Sequence, residues 1–154
     1  MTANGEATKV TFYELTQTDE QDEGHFFLCR LIEKAWSLGH YILVLSNNDA
    51  VLRALDEKLW QFSQESFLPH GLYGEVSYSP VQLSTEIPAN ASRQVRDILI
   101  NLTDSAPAPA AEFKRIIELV PFSEHKKNQS RARFKQYRAM GLQPEFMPTK
   151  KRGA

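Results

Sequence analysis

Tyr41-Ile-Leu-Val-Leu45, followed directly by Ser46-Asn-Asn-Asp49 and then by Val51, Leu52, Leu55 and Leu59, decides the fold. An unbroken apolar run of strand length, with no polar alternation, marks a strand covered on both faces, and such strands belong to parallel sheets with helices packed on them. Asn47, Asn48 and Asp49 bring the side-chain oxygens that satisfy free N–H groups at a helix start. The apolar residues after them recur at helical spacing and predict a helix ending near Trp60. Towards the N-terminus, Phe27, Leu31, Ala35 and Leu38 recur at i, i+4 and i+8 with Leu28, Ile32 and Trp36 beside them, and Gly39 stands where that helix stops. An acidic run, Asp19 to Glu23, precedes it, and Val10 to Leu15 alternates as a strand does. The first sixty residues therefore read βαβα.

Towards the C-terminus, Ser66-Phe-Leu68 is a candidate short strand, His70 to Pro80 reads as loop, and Val81 to Ser84 alternates weakly. Asp97 to Leu102 is a second buried strand, Ser105 to Ala111 is a proline-rich loop, and Arg115 to Val120 is the last strand. Pro121 and Phe122 break the chain. Ser123 is placed to cap a final helix from Glu124 to about Met140, closed by Gly141. Strands alternating with helices give an α/β fold, a three-layer sandwich around a mostly parallel sheet. We expect a disordered extension at 1–9, one domain at 10–147 and a flexible basic tail at 148–154.

The chain has 154 residues, 42% apolar and 24% charged, which suits one globular domain and excludes fibrous or disordered classes. No apolar stretch is long enough to span a bilayer and the N-terminus is polar, so the expected location is cytoplasmic, without membrane contact. Cys29 is the single cysteine, which rules out an internal disulfide, and His25, His40, His70 and His125 have no metal-ligand spacing. Neither a metal nor a cofactor is expected. The net charge of −1 conceals an asymmetry: residues 124–154 carry +7 and the rest −8. A basic segment on an acidic body points to an anionic partner, nucleic acid or acidic peptide.

Catalytic chemistry is sparse. After the first strand, Thr16-Gln-Thr-Asp-Glu20 has neither the glycines nor the lysine of a phosphate-binding loop, and its acids repel phosphate. Cys29 sits among apolar neighbours in a helix, where a thiol is inert. His70, between Pro69 and Gly71, has no carboxylate partner in sequence and reads as a turn-stabilising residue. The final helix differs. At 100° per residue, Lys127, Arg131, Phe134 and Arg138 share a stripe about 60° wide. Cations framing an aromatic ring can seat an apolar group while a guanidinium binds a carboxylate or phosphate through paired N–H donors. The six Lys and Arg from Lys126 to Arg138 have no acid among them, which forgoes the ion pairs of a merely solvated helix. Phe134 and Tyr137 are the rings there that a nucleic-acid base would need for stacking. Trp60 and Phe67 are either core residues or an aromatic anchor for a protein partner.

These residues carry a resemblance. Thr11-Phe-Tyr13, Leu55-Asp-Glu-Lys-Leu-Trp60, Glu65-Ser-Phe-Leu-Pro-His70 with Gly74-Glu75, Arg96 to Leu102, and Val120-Pro-Phe through Arg131-x-Arg-Phe-Lys-x-Tyr-Arg138-x-x-Gly141 together resemble the chi subunit of bacterial DNA polymerase III holoenzyme, over about Val10 to Phe146. The resemblance implies a nucleotide-binding-like (Rossmann-like) topology without a phosphate-binding loop, used as a non-catalytic adaptor in DNA replication. It implies pairing with the psi subunit, through psi with the clamp loader, and a grip on the acidic C-terminal tail of single-stranded DNA-binding protein, which ends in a Pro-Phe carboxylate. By position it puts Val120, Lys127, Arg131 and Phe134 at the tail site. The stripe adds Arg138. Arg131 is expected on the terminal carboxylate, Lys127 on upstream acids, and Val120 with Phe134 on the terminal ring. Phe134 stands where the family pattern leads us to expect a tyrosine, which removes a hydroxyl. Trp60 and Phe67 match the surface for psi and, by analogy, for a DNA-repair helicase that competes with it. Nucleic acid would then be met mainly through partners. The alternative from the residues alone is a module that binds single-stranded nucleic acid directly.

Overall fold

The apolar run becomes strand β2 (Ile42–Leu45), hydrogen-bonded on both sides and buried along its whole length. The structure, a computed structural model, describes residues 7–62, 68–75, 79–88 and 97–152. With β1 (Lys9–Glu14), β3 (His70–Leu72), β4 (Val81–Ser84), β5 (Ile98–Asn101), β6 (Arg115–Val120) and β7 (Glu145–Met147), it builds a sheet in the order β3-β4-β2-β5-β6-β1-β7. Every paired neighbour is parallel.

Side-chain alternation assigns the two faces. Ile42, Val44, Ile98, Ile100 and Ile117 pack under α2 (His25–Ser37) and α3 (Asp49–Phe62), against Leu28, Ile32, Leu52, Leu55 and Leu59. Phe12, Leu43, Leu45, Leu99 and Ile116 point the other way, towards Ala110, Phe113 and, on α4 (Glu124–Ala139), Tyr137. The result is the three-layer sandwich. Each fully buried aliphatic side chain contributes about 1.5–3 kcal/mol.

Local chemistry explains the joints. A four-residue helix, α1 (Gln17–Glu20), occupies the start of the acidic run, because the Thr16 hydroxyl accepts from the Asp19 N–H at 2.9 Å while the Asp19 carboxylate accepts from the Thr16 N–H at 2.8 Å. Gly24 then starts α2 with φ 78°, where a Cβ would also press on Leu15 at 3.1 Å. At α3, the Asn48 side-chain oxygen accepts from the Ala50 N–H at 2.9 Å.

Four expectations differ from the structure. β3 lies in the stretch read as loop, and its His70 is buried, so polar composition hid a strand that pairs with β4. Of Ser66-Phe-Leu68, the first two residues lie outside the described residues, and Leu68 is buried beside β3 without being a strand residue. β7 follows the final helix as an edge strand on β1. Ser123 precedes α4 without capping it, because its hydroxyl donates to Glu20 Oε2 at 3.0 Å. The chain ends also make contacts. Thr8 is buried and its hydroxyl donates to the Phe113 carbonyl at 2.6 Å, and Lys9 begins β1. Thr149 donates its N–H to Glu14 Oε1 at 3.1 Å, while Arg152 pairs with Asp19 at 2.6 Å and lies 4.5 Å from the Phe27 ring centroid. Among the described residues, no helix is long and apolar enough to cross a membrane.

Candidate functional site

The orientation of α4 is set by polar chemistry beneath it. Its buried residues are Ser130, Arg133 and Tyr137. Arg133 and Tyr137 meet Glu118 of β6, whose side chain is fully buried, and the Ser130 hydroxyl donates to the Leu119 carbonyl at 3.4 Å. Arg133 Nε donates to Glu118 Oε1 at 2.8 Å, Tyr137 Oη to Oε2 at 2.6 Å, and Asn101 Nδ2 to Oε2 at 2.7 Å. Burial pushes the Glu118 carboxyl above its usual range, opposed by the Arg133 charge and the donated hydrogen bonds. Burial, with the Glu118 charge next, raises the Tyr137 hydroxyl well above its normal value. The two donors from α4, Arg133 and Tyr137, converging on one carboxylate that β5 also holds through Asn101, fix α4 at one rotation about its axis. Two readings of the sequence change here. Arg133 is a core residue, not one of the surface cations, and Tyr137 is too deeply buried to stack on a base.

That rotation places the stripe beside the sheet edge. Val120, Phe12 and Phe146 form the floor of a groove of about 440 Å³, and Lys127, Arg131, Phe134 and Arg138 form its wall. All five residues expected at the tail site line this one groove. Phe134 packs on Phe12, centroids 5.1 Å apart, and the Arg138 guanidinium lies 4.8 Å from the Phe134 centroid. Lys127 and Arg131 are partly engaged by Glu124, at 3.4 and 3.6 Å, and Arg131 also donates to Asn128 at 2.9 Å. The ion-pair partner thus precedes the basic run. Arg131 remains well exposed, with 59% of its side-chain surface accessible. An apolar floor beside an exposed guanidinium can hold a ring and a carboxylate at once.

Phe146 and Phe12 were missed as site residues. β1 alternation puts Phe12 on the face of Val10, but nothing in sequence says that α4 covers that face, and Phe146 enters only because β7 pairs with β1, Phe12 opposite Phe146. Trp60 projects from α3 with 58% of its surface exposed, its ring 4.6 Å from that of His70. Phe67 lies outside the described residues. His70 does have a carboxylate nearby, Asp56 Oδ1 at 3.4 Å, and its Nδ1 meets the Leu68 carbonyl at 2.8 Å.

At the C-terminal ends of the strands, where nucleotide-binding sheets hold ligands, lies a polar cavity of about 420 Å³. Glu23 and Asp104 line it, with Asn47 and Asn48 at the helix start. Arg133 lines it too but is already paired with Glu118, so the two acids disfavour a phosphate there. Cys29 is buried and its thiol is pushed up to about 12, chiefly by burial. No cluster of metal-ligating side chains occurs among the described residues.

The fold is an α/β domain of nucleotide-binding-like topology, with a groove lined by cations, aromatic rings and Glu14 on the last helix and not at the strand ends. Residues 7–145 match the family model described as DNA polymerase III chi subunit, HolC. The chain belongs to that family. It is 37% identical over 144 residues to DNA polymerase III subunit chi of Pseudomonas aeruginosa, covering 92% of this chain and 98% of that one. It is 32% identical over 136 residues to the Escherichia coli subunit chi, covering 86% and 92%. In fold alone it is similar to a DEAD box protein from the hyperthermophile Methanococcus jannaschii, with TM-score 0.58 and 15% identity over 92% of this chain and 42% of that one.

Proposed function

We propose that this chain is a non-catalytic adaptor of the replication machinery, a single domain over residues 10–147 working in the cytoplasm. One surface binds the acidic C-terminal tail of single-stranded DNA-binding protein, and another binds psi and, through it, the clamp loader. The observation that carries this reading is the groove that unites Val120, Lys127, Arg131, Phe134 and Arg138. In it, Arg131 takes the terminal carboxylate, Val120 and Phe134 with Phe12 and Phe146 surround the terminal phenylalanine ring, and Lys127 and Arg138 attract the upstream acids. The exposed Trp60, with Phe67 close in sequence, is the anchor for psi and for a competing repair helicase.

A fluorescently labelled acidic peptide ending in Pro-Phe with a free carboxylate, titrated into the protein, tests the tail site. Wild type binds. Arg131→Ala and C-terminal amidation of the peptide each weaken binding by tenfold or more, as loss of a charge-assisted carboxylate contact of about 1.5–3 kcal/mol requires. Indifference to both changes, with steep salt-dependent binding of single-stranded DNA instead, assigns the groove to phosphates and overturns the reading.

A further inference from the structure

On the sheet face opposite the α4 groove, a second groove of about 250 Å³ runs between α2 and strands β5, β6 and β1. Its charge is one-sided. Arg30, Lys34, His40, Arg115 and Arg152 line it, and among the described residues no Asp or Glu does. Two of these residues already have acidic partners: Arg152 pairs with Asp19 at 2.6 Å, and the His40 ring nitrogen lies 3.0 Å from Asp97. Arg30, Lys34 and Arg115 have no carboxylate partner among the described residues. The Arg115 guanidinium donates to the Tyr13 hydroxyl, and its buried Nε finds no acceptor among the described residues. A partly buried guanidinium without a counter-charge is unfavourable until an anion arrives. Arg30 and Lys34 stand at i and i+4 on α2, a repulsive spacing for like charges. That arrangement sits within residues 1–123, a segment of net charge −8.

The rest of the lining is apolar. Phe27, Leu31, Ala35 and Leu38 project from α2 towards Ile98 and Ile117. At 100° per residue Arg30 and Lys34 flank this apolar strip on one side, so the helix presents a cationic border along a greasy floor. Leu38 is 69% exposed and serves no core. Rings suited to stacking a base are not on offer: Tyr13 and Phe27 face each other at 5.7 Å, and Phe27 is covered by the Arg152 guanidinium.

We propose that this groove is a second docking site, which takes an acidic protein segment bearing an aliphatic side chain, seated on Leu31, Ala35 and Leu38 with its carboxylates on Arg30, Lys34 and Arg115. The site lies on the other side of the sheet from the tail groove and does not depend on the function proposed for it. The two would let one chain hold two acidic segments at once.

Amide chemical shifts of the full-length, isotopically labelled protein, titrated to millimolar with acetyl-Asp-Asp-Leu-Glu-Asp-Leu-amide at low salt, provide the test. The amidated end denies the α4 groove its carboxylate. Residues around Arg30, Lys34, Leu38 and Arg115 shift in a saturable way, and Arg30→Glu with Lys34→Glu weakens the binding about tenfold or more. Both side chains are exposed, so the double variant keeps its fold, and an unchanged spectrum away from α2 verifies this. Arg131→Ala leaves this titration unchanged while weakening capture of the Pro-Phe peptide tenfold or more, which separates the two proposals. Three results overturn the inference: no shifts at these amides, binding that survives the double reversal, or shifts there with oligothymidylate and not with the peptide.

Discussion

Arg133→Met tests what orients the functional helix. Arg133 and Glu118 form a buried pair, with 9% and 0% of their side-chain surfaces exposed. Methionine fills much of the arginine stem's volume but leaves the carboxylate with only Tyr137 and Asn101 as donors. Removing one partner of a buried ion pair costs about 3–5 kcal/mol. With a urea dependence of roughly 2 kcal/mol per molar for a domain of this size, the unfolding midpoint at neutral pH falls by about 2 M. The deficit also acquires a pH dependence of known sign. Burial already raises the Glu118 carboxyl above 4.5, and the variant loses the arginine charge that opposes the rise. A carboxyl whose folded value lies above its unfolded one lends stability that is fully present below the unfolded value and lost as pH rises through the folded value. The deficit of Arg133→Met is therefore smallest at or below pH 4.5 and grows as pH rises. Adding Glu118→Gln removes the buried charge and restores most of the loss, leaving about 1–2 kcal/mol for imperfect hydrogen bonding. Urea titrations of wild type, both single variants and the double variant at two pH values complete the cycle. A neutral-pH difference under about 1 kcal/mol between wild type and Arg133→Met would refute the claim that this pair holds α4.

Three further outcomes follow from other parts of the molecule. Burial holds the His25 imidazole below its usual 6.5, so its contribution to stability is present above 6.5 and lost as pH falls through the folded value. His25→Asn flattens that acid-side slope in urea midpoints, and an unchanged slope contradicts the assignment. Cys29, fully buried with a raised pKa, stays unreactive towards a thiol reagent at pH 8 until denaturant is added; rapid labelling of the folded protein contradicts its burial. Trp60→Ala leaves thermal stability within about 0.5 kcal/mol of wild type, because the ring is largely exposed, yet lowers co-purification with psi at least tenfold. Full psi binding by that variant removes Trp60 from the interface.

Sequence periodicity by itself determined the sheet class. Tyr41 to Leu45 has no polar alternation, and only a strand covered on both faces tolerates that. It likewise determined α2, α3 and the termination of α4 at Gly141, which has φ 87°, since apolar spacing and capping chemistry are local. The stripe of Lys127, Arg131, Phe134 and Arg138 was legible for the same reason: positions on one helix face follow from its pitch. Tertiary structure alone decided which way that stripe turns. The inner face of α4 is polar, and its Arg133 and Tyr137 look like surface residues until Glu118, brought alongside by β6, turns them into core. Phe146 was illegible because β7 is three residues long and acquires meaning only from pairing with β1, more than a hundred residues earlier. The groove between α2 and β6 was hidden likewise, since Arg115 comes from a strand distant in sequence from the helix that carries Arg30 and Lys34. Hydrophobic pattern reports how each segment meets the core. Partnership among charged side chains is a property of distances, and the fold sets those.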